Sequence, residues 1–139
     1  MEYTKRRNLN RGYMKLEAWQ RGVDLFVMAF RLSNGVSDLK LTSQFRDAAQ
    51  SVSANIGEGY GRRSLPEYLQ FLYTAKGSLA EALTRAIGLE TVKFISADDF
   101  EGFDKLLRLI GSLETKLGTH EWRNTLPPTI HQPINPSIQ

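Results

Sequence analysis

The chain of 139 residues contains no cysteine and only two histidines, His120 and His131. Without thiols it forms no disulfide and offers no thiolate to a metal, and two isolated imidazoles make a poor metal site. No apolar run approaches the ~18 residues of a membrane-spanning helix, and the charged N-terminus lacks the apolar segment of a signal peptide. These absences predict a cytoplasmic protein with no cofactor, no membrane partner and no evident small-molecule substrate.

Proline is also scarce, and four of the five prolines lie in the C-terminal stretch LPPTIHQPINPSIQ, which has no charged residue. Such a composition predicts that residues 119–139 form a flexible tail. At the other end, residues 1–15 hold five lysines and arginines against Glu2, which predicts a basic arm. Residues 16–118 remain as one domain, with enough apolar residues for a single core.

Apolar residues recur at helical spacing in four segments of this domain, and no segment alternates at the period of a strand. The helices are predicted over about 16–32, from Thr42 to the glycines after Ile56, from Ser64 to about 92, and from Ser96 to about 117. Thr42, Ser64 and Ser96 are the predicted N-caps. Short connections between helices of this length predict an all-α, antiparallel up-down four-helix bundle.

The first and third predicted helices are apolar over an unusually wide part of their surface. In the third helix the apolar arc exceeds half of the circumference, whereas a helix with one buried face needs little more than about 100°. Bundle helices touch two neighbours and tolerate some exposed leucine, but an exposed patch of this extent is unusual on a monomer. We therefore predict a homo-oligomer.

The stretch GEGYGRR places Gly57, Gly59 and Gly61 before two arginines, a composition that is also found in phosphate-binding loops. A Walker loop requires a lysine and a preceding strand, and a dinucleotide fingerprint requires G-x-G-x-x-G after a strand. Neither is present. The glycines are instead predicted to end the second helix, allowing left-handed backbone and close helix contact.

Arginines in this turn, beside the positive end of the next helix, favour contact with anions. Together with the basic arm they predict a nucleic-acid-binding surface, although charge alone supplies only salt-sensitive, nonspecific binding. The predicted contact residues are Arg62, Arg63, Arg46, Arg6, Arg7 and Arg11.

The second helix also carries a polar stripe at spacings of three, four, four and three: Gln44, Asp47, Ser51, Asn55 and Glu58. The stripe either hydrogen-bonds across a helix contact and sets its register, or holds a catalytic base at Glu58. Because no histidine, cysteine or second carboxylate is placed to work with Glu58, we predict a structural stripe and no enzyme.

Three blocks of the chain carry a family resemblance: LEAWQRGVDLFVMAFRL, LTSQFRDAAQSVSANIGEGYGRRS and EYLQFLYTAKGSLAEAL. They resemble, in order, the signature blocks of the four-helix bundle proteins encoded in intervening sequences of bacterial 23S ribosomal RNA genes. The resemblance covers about residues 16–118. The positions that match the family pattern are Gln44, Arg46, Ser51, Asn55, Glu58, Gly59, Gly61, Arg62, Gly77, Ser78 and Glu81.

This resemblance implies a ring-like homopentamer with no established enzymatic activity. The family is similar in fold to basic pentameric accessory proteins of diversity-generating retroelements, which bind nucleic acid, although function does not follow from fold. The first and third connections are shorter than is usual in the family, which bears on subunit number. Two hypotheses remain: a homo-oligomer that binds RNA or DNA, and a protein-interaction scaffold with no nucleic-acid role.

Overall fold

The computed structural model describes residues 12–118, and within them the chain forms four α-helices and no strand. A short 3₁₀ helix, Gly12–Lys15, is followed by α1 (Glu17–Ser33), α2 (Leu39–Tyr60), α3 (Leu65–Thr91) and α4 (Ala97–Leu117). The predicted all-α, four-helix fold is confirmed. Residues 1–11 of the predicted arm and the whole predicted tail lie outside the described residues.

The starts of α3 and α4 are capped as the sequence predicts. Ser64 Oγ accepts a hydrogen bond from the Glu67 N–H, and Ser96 Oγ accepts one from the Asp99 N–H. Each cap satisfies one of the amide groups that a helix leaves unpaired in its first turn.

The predicted start of α2 at Thr42 is wrong, because the helix begins at Leu39. Asp38 is its cap, and the Asp38 carboxylate accepts from the Leu41 N–H at 3.1 Å. Thr42 lies inside the first turn, where its buried hydroxyl donates to the Asp38 carbonyl. Asp38 and Thr42 are both good caps. The additional turn that begins at Leu39 buries no charged side chain, so the longer helix forms.

Contacts between α1 and α2 run in opposite directions along the two helices. Ser33, at the end of α1, lies beside Arg46 near the start of α2. Further on, a Cβ atom added to Gly22 of α1 would lie 3.0 Å from Ser53 of α2. The two backbones therefore approach closely at Gly22, and the pair is antiparallel.

Helices α2 and α3 are also antiparallel, and polar groups cross between them. Ser51 and Ser78 share a hydrogen bond of 2.7 Å near the middle of the pair. Closer to the start of α2, Arg85 donates to Gln44 Oε1 at 3.1 Å. The register of α3 on α2 is thus set by directional bonds as well as by apolar packing.

One end of the bundle is built from three tyrosines, and we call it the tyrosine end. The Tyr13 and Tyr60 rings lie 6.3 Å apart, and the Tyr60 and Tyr68 rings 6.5 Å apart, both edge to face. Here α1 begins, α2 ends and α3 begins. The end of α4 lies at the same place, because Gly118 lines a cavity with the first turns of α3. Both segments outside the described residues are therefore attached at the tyrosine end.

The core lies between all four helices. Phe45 of α2 and Phe103 of α4 are fully buried, with ring centroids 5.0 Å apart. Alanines such as Ala49, Ala82 and Ala86 are also fully buried and allow the helices to pack closely around these rings.

Candidate nucleic-acid interface

The glycines of GEGYGRR lie within α2 and at its end, and they do not form a phosphate-binding loop. Helix α2 continues through Gly57 and Gly59 to Tyr60, and Gly61 is its C-cap with φ of −81°. The predicted left-handed backbone is therefore wrong; among the described residues the glycine with positive φ is Gly35, at 91°.

Close helix contact explains one of these glycines. A Cβ atom added to Gly59 would lie 2.6 Å from Phe71 Cβ and 3.3 Å from the Tyr68 ring, which no real Cβ tolerates. At Gly57 the nearest atoms would be 3.5 Å away, an ordinary contact distance. Gly59 thus lets the first turns of α3 dock onto the end of α2.

Arg62 follows this contact and is held in place by α2 and α3. Its guanidinium lies 4.5 Å from the centre of the Phe71 ring and 3.4 Å from the Glu58 carboxylate. Stacking on the ring and pairing with the acid fix the guanidinium against α2 and α3. Arg63, next in the chain, is exposed and has no ion pair with residues 12–118.

The start of α3 contributes less to anion binding than its position predicts. The Ser64 hydroxyl already accepts a hydrogen bond from the Glu67 N–H, and it also donates one to the Glu67 carboxylate at 2.9 Å. A carboxylate in the first turn offsets the positive end of the helix dipole. Any phosphate bound here must therefore be held mainly by arginine side chains.

Arg46 lies at the opposite end of the bundle from Arg62. Its Nε donates to Ser33 Oγ at 2.7 Å, and its guanidinium covers the half-exposed Phe30 ring at 4.1 Å. These contacts join the end of α1 to the start of α2. The structure thus separates Arg46 from Arg62 and Arg63, and Arg6, Arg7 and Arg11 lie outside the described residues.

The first described residues show where the basic arm joins the bundle. Gly12 lies against the Tyr60 ring, and Tyr13 packs on both Trp19 and Tyr60. Arg11 is bonded directly to Gly12, and Arg62 follows Tyr60 by two positions. The arm and the Arg62–Arg63 turn therefore meet at the tyrosine end.

Two residues of the predicted polar stripe, Gln44 and Ser51, bond to α3, and a third, Asn55, bonds to Ser51 within α2. Besides the Ser51–Ser78 and Gln44–Arg85 bonds, Asn55 Nδ2 donates to the Ser51 carbonyl at 2.7 Å and to its hydroxyl at 2.9 Å. Asp47 is exposed and takes no part in these bonds.

Glu58, the last residue of the polar stripe, is exposed and pairs with Arg62 one turn later. A catalytic base works with a second polar group in a cleft. Within residues 12–118, none of the described cavities is lined by Glu58.

Two buried polar groups escaped the sequence analysis, and both lie near the tyrosine end. Burial raises the pKa of the Glu114 carboxyl from 4.5 to about 8, although the nearby Lys76 ammonium acts to lower it. Burial, with a smaller effect of Tyr60, raises the pKa of Tyr68 to about 12. Glu114 was detectable, because it occupies a core position at helical spacing from Ile110 and Leu117.

No metal site and no membrane span accompany this surface in the described part of the chain. Residues 12–118 contain no group of three His, Cys, Asp or Glu side chains that could hold a metal ion. None of their helices combines the length and the apolar character that crossing a membrane requires.

Comparison with known proteins places the fold. No curated protein matches the chain. A crystal structure from Bacteroides thetaiotaomicron, of a protein of unknown function from the S23 ribosomal protein family, is 17% identical with a TM-score of 0.69. The match covers 73% of this chain and 98% of that one. The family model described as 23S rRNA-intervening sequence protein matches residues 14–116, and the chain belongs to this family.

Proposed function

We propose that this protein is a noncatalytic homo-oligomer that binds RNA or DNA through its tyrosine end. The observation that carries the proposal is the meeting of Arg62, Arg63 and the N-terminal arm at that end, through the contact of Tyr13 with Tyr60. Arg6, Arg7 and Arg11 belong to the arm, whose described residues, Gly12 and Tyr13, lie against Tyr60. The pairing of Glu58 with Arg62, outside the described cavities, supports a noncatalytic role.

Assembly supplies the affinity that one chain lacks. A few arginine–phosphate contacts give weak binding, because each gains mainly the release of counterions. When several copies present the same end to one polyanion, the later contacts form at high effective concentration, and avidity rises by orders of magnitude. Nucleic-acid binding and self-association therefore belong to one proposal.

The surface proposed for self-association is a face of α3 that we call the α3 stripe. Its members are exposed, uncharged and spaced alternately by four and three residues: Tyr73, Gly77, Ala80, Thr84, Ile87 and Thr91. Tyr73 is 65% exposed and Ile87 is 48% exposed, so the α3 stripe presents two large apolar side chains on one face. A four-and-three spacing is the pattern by which one helix packs along another.

Two features of the α3 stripe favour a helix as its partner. The Thr84 and Thr91 hydroxyls donate to the carbonyls one turn earlier, so neither needs a partner outside α3. Gly77 has nothing within 4 Å of its Cβ position among residues 12–118, so no contact in this part of the chain explains it. A glycine inside a helix costs about 1 kcal/mol relative to alanine, and small residues allow a second backbone to approach.

Replacing Ala80 by arginine is expected to convert the assembly to single chains of 15.8 kDa without unfolding them. Ala80 is exposed, so the longer side chain fits a lone copy but not a packed α3 stripe. Sedimentation velocity at micromolar concentration gives the mass, and Ala54→Arg, at an exposed alanine of α2, is the matched control. A wild-type protein that sediments as a single chain contradicts self-association, and an intact Ala80→Arg assembly contradicts the α3 stripe.

Joint replacement of Arg62 and Arg63 by alanine is expected to weaken binding of a structured RNA about tenfold and to reduce its salt dependence. Each lost phosphate contact lowers the slope of log K against log salt by about 0.9. Fluorescence anisotropy between about 50 and 200 mM KCl measures the affinity and its salt dependence, because affinity for nucleic acid falls steeply over this range. The control replaces Lys105 and Arg108, exposed cations in the middle of α4. Equal losses from the two pairs would reduce the proposal to general charge attraction.

The second candidate function is a scaffold that docks a different protein on the α3 stripe, with no role for nucleic acid. The exposure of Tyr73 and Ile87 favours it as much as it favours self-association. Recovery of a defined partner that survives nuclease treatment and is lost in Ala80→Arg, together with absent RNA and DNA binding, would select the scaffold.

A further inference from the structure

Glu114, near the tyrosine end, belongs neither to the α3 stripe nor to the Arg62–Arg63 turn. Glu114 of α4 is 2% exposed, and neither carboxylate oxygen has a hydrogen-bond partner among residues 12–118. A buried carboxylate without a partner is strongly unfavourable, and buried acids are normally paired. The position therefore calls for a group that compensates it.

Glu114 lines a cavity of about 200 Å³ between the first half of α3 and the end of α4, which we call the Glu114 pocket. Glu114 and Leu72 are its buried floor, and Leu69 is a half-buried wall. The other lining residues are exposed, so the cavity opens to solvent; they are Tyr73, Lys76, Thr115 and Gly118.

The size of the cavity limits what it can hold. Sites for whole small ligands usually measure about 300–1,000 Å³. The Glu114 pocket is smaller, and its apolar walls enclose one acidic group. Its natural occupant is a group of the size of one side chain, with an apolar stem along Leu69 and Leu72 and a polar head at Glu114.

The Glu114 carboxylate at the floor of the pocket favours a cation as the polar head of the bound group. A carboxylate only accepts hydrogen bonds, and a planar guanidinium can donate two of them in parallel. Tyr73 adds an aromatic ring at the rim, where cations are stabilised by the ring face. Lys76 lies near enough to influence Glu114 but forms no ion pair with it. The two carboxylate oxygens are shielded from solvent, so a cation that binds them displaces the side chains that cover them.

We propose that the Glu114 pocket binds one guanidinium or alkylammonium group, held by the Glu114 carboxylate. The group comes either from a free small molecule or from a basic side chain of a second copy of this chain. Binding of the free group does not depend on self-association or on nucleic acid.

The first arm of the test uses methylguanidinium chloride and its neutral isostere N-methylurea. Each is titrated into the full-length, ¹⁵N-labelled protein at pH 8, near the pKa of Glu114, and at constant ionic strength, and the amide shifts of Tyr73, Thr115 and Gly118 are followed. We expect methylguanidinium to bind at least tenfold more tightly than methylurea. Glu114→Gln is expected to abolish this preference, and Lys76→Met, which removes a like charge from the rim, to strengthen binding.

The second arm tests the other source and is needed if methylguanidinium does not bind. A side chain of a second copy that fills the pocket predicts that Glu114→Gln weakens self-association at least tenfold in sedimentation velocity. Glu101→Gln, at an exposed position of the same helix, is the control and should leave it unchanged.

The outcomes separate cleanly. Preferential binding of methylguanidinium assigns the pocket to a free cation, and selective loss of assembly in Glu114→Gln assigns it to a neighbouring copy. Equal binding of the charged and neutral probes, or no binding of either together with unchanged assembly, overturns the proposal. Because wild-type protein alone distinguishes the two probes, the first arm stands even if a variant fails to fold. A monomeric wild-type protein would contradict self-association but leave this arm intact.

Discussion

Raising the pH from 5 to 8 is expected to reduce the free energy of unfolding by about 4 kcal/mol through Glu114 alone. Burial raises the pKa of its carboxyl from 4.5 to about 8. Between these values the native protein holds a proton that the unfolded chain has released, so each rise in pH favours unfolding. Below pH 4.5 the Glu114 carboxyl is protonated in both the native and the unfolded state. Above pH 8 the native state carries the full free-energy cost of the buried charge.

Glu114→Gln removes this dependence, because an amide does not titrate. The variant should match the wild type near pH 5 and exceed its free energy of unfolding at pH 8. Urea unfolding at intervals of one pH unit, in buffers free of amines and at low protein concentration, measures the difference. Glu101→Gln, at an exposed site on the same helix, should follow the wild type. Parallel curves for wild type and Glu114→Gln would show that the native carboxyl is already compensated.

Gly59→Ala is expected to lower the free energy of unfolding by about 2–3 kcal/mol, in the range of overpacked helix contacts. The added methyl group would meet Phe71 Cβ at 2.6 Å. Because this atom is fixed to the α3 backbone, rotation of the ring cannot relieve the clash, and the helices must separate. The gain in helix propensity, about 1 kcal/mol or less, does not offset it.

Gly57→Ala is the matched control, two positions earlier in the same helix. Its nearest neighbours would lie 3.5 Å away, so the methyl group fits and the helix gains propensity. We expect a small increase in stability. Thermal and urea unfolding of the two variants test the interpretation, which fails if both substitutions are equally tolerated or equally harmful.

Helices α3 and α4 could be predicted from the sequence, because apolar spacing and side-chain caps agree at Ser64 and Ser96. The start of α2 could not, because Asp38 and Thr42 are both good caps and the choice depends on how the first turn packs. The glycines show the same limit. The sequence predicted that the glycines of GEGYGRR allow close helix contact. It could not show that Gly59 is the one of the three that the contact requires, because this depends on where Phe71 packs against α2.

The candidate site was also predictable only in part. Charge identified Arg62, Arg63 and the arm, and the fold adds that the arm joins the bundle beside Tyr60. The attachment of Arg46 to Phe30 and Ser33 joins two helices across a turn, so no local pattern reveals it. Glu114 could have been found, since a carboxylate occupies a position that periodicity assigns to the core.

The two ends of the described bundle share a location, and this has a practical consequence for anyone handling this protein. Gly12 and Gly118 both lie at the tyrosine end, so a fluorescent protein joined directly to either residue stands beside the surface under test. The connection at Gly35, with its φ of 91°, lies at the far end after Ser33. A label inserted at that connection leaves the tyrosine end unobstructed.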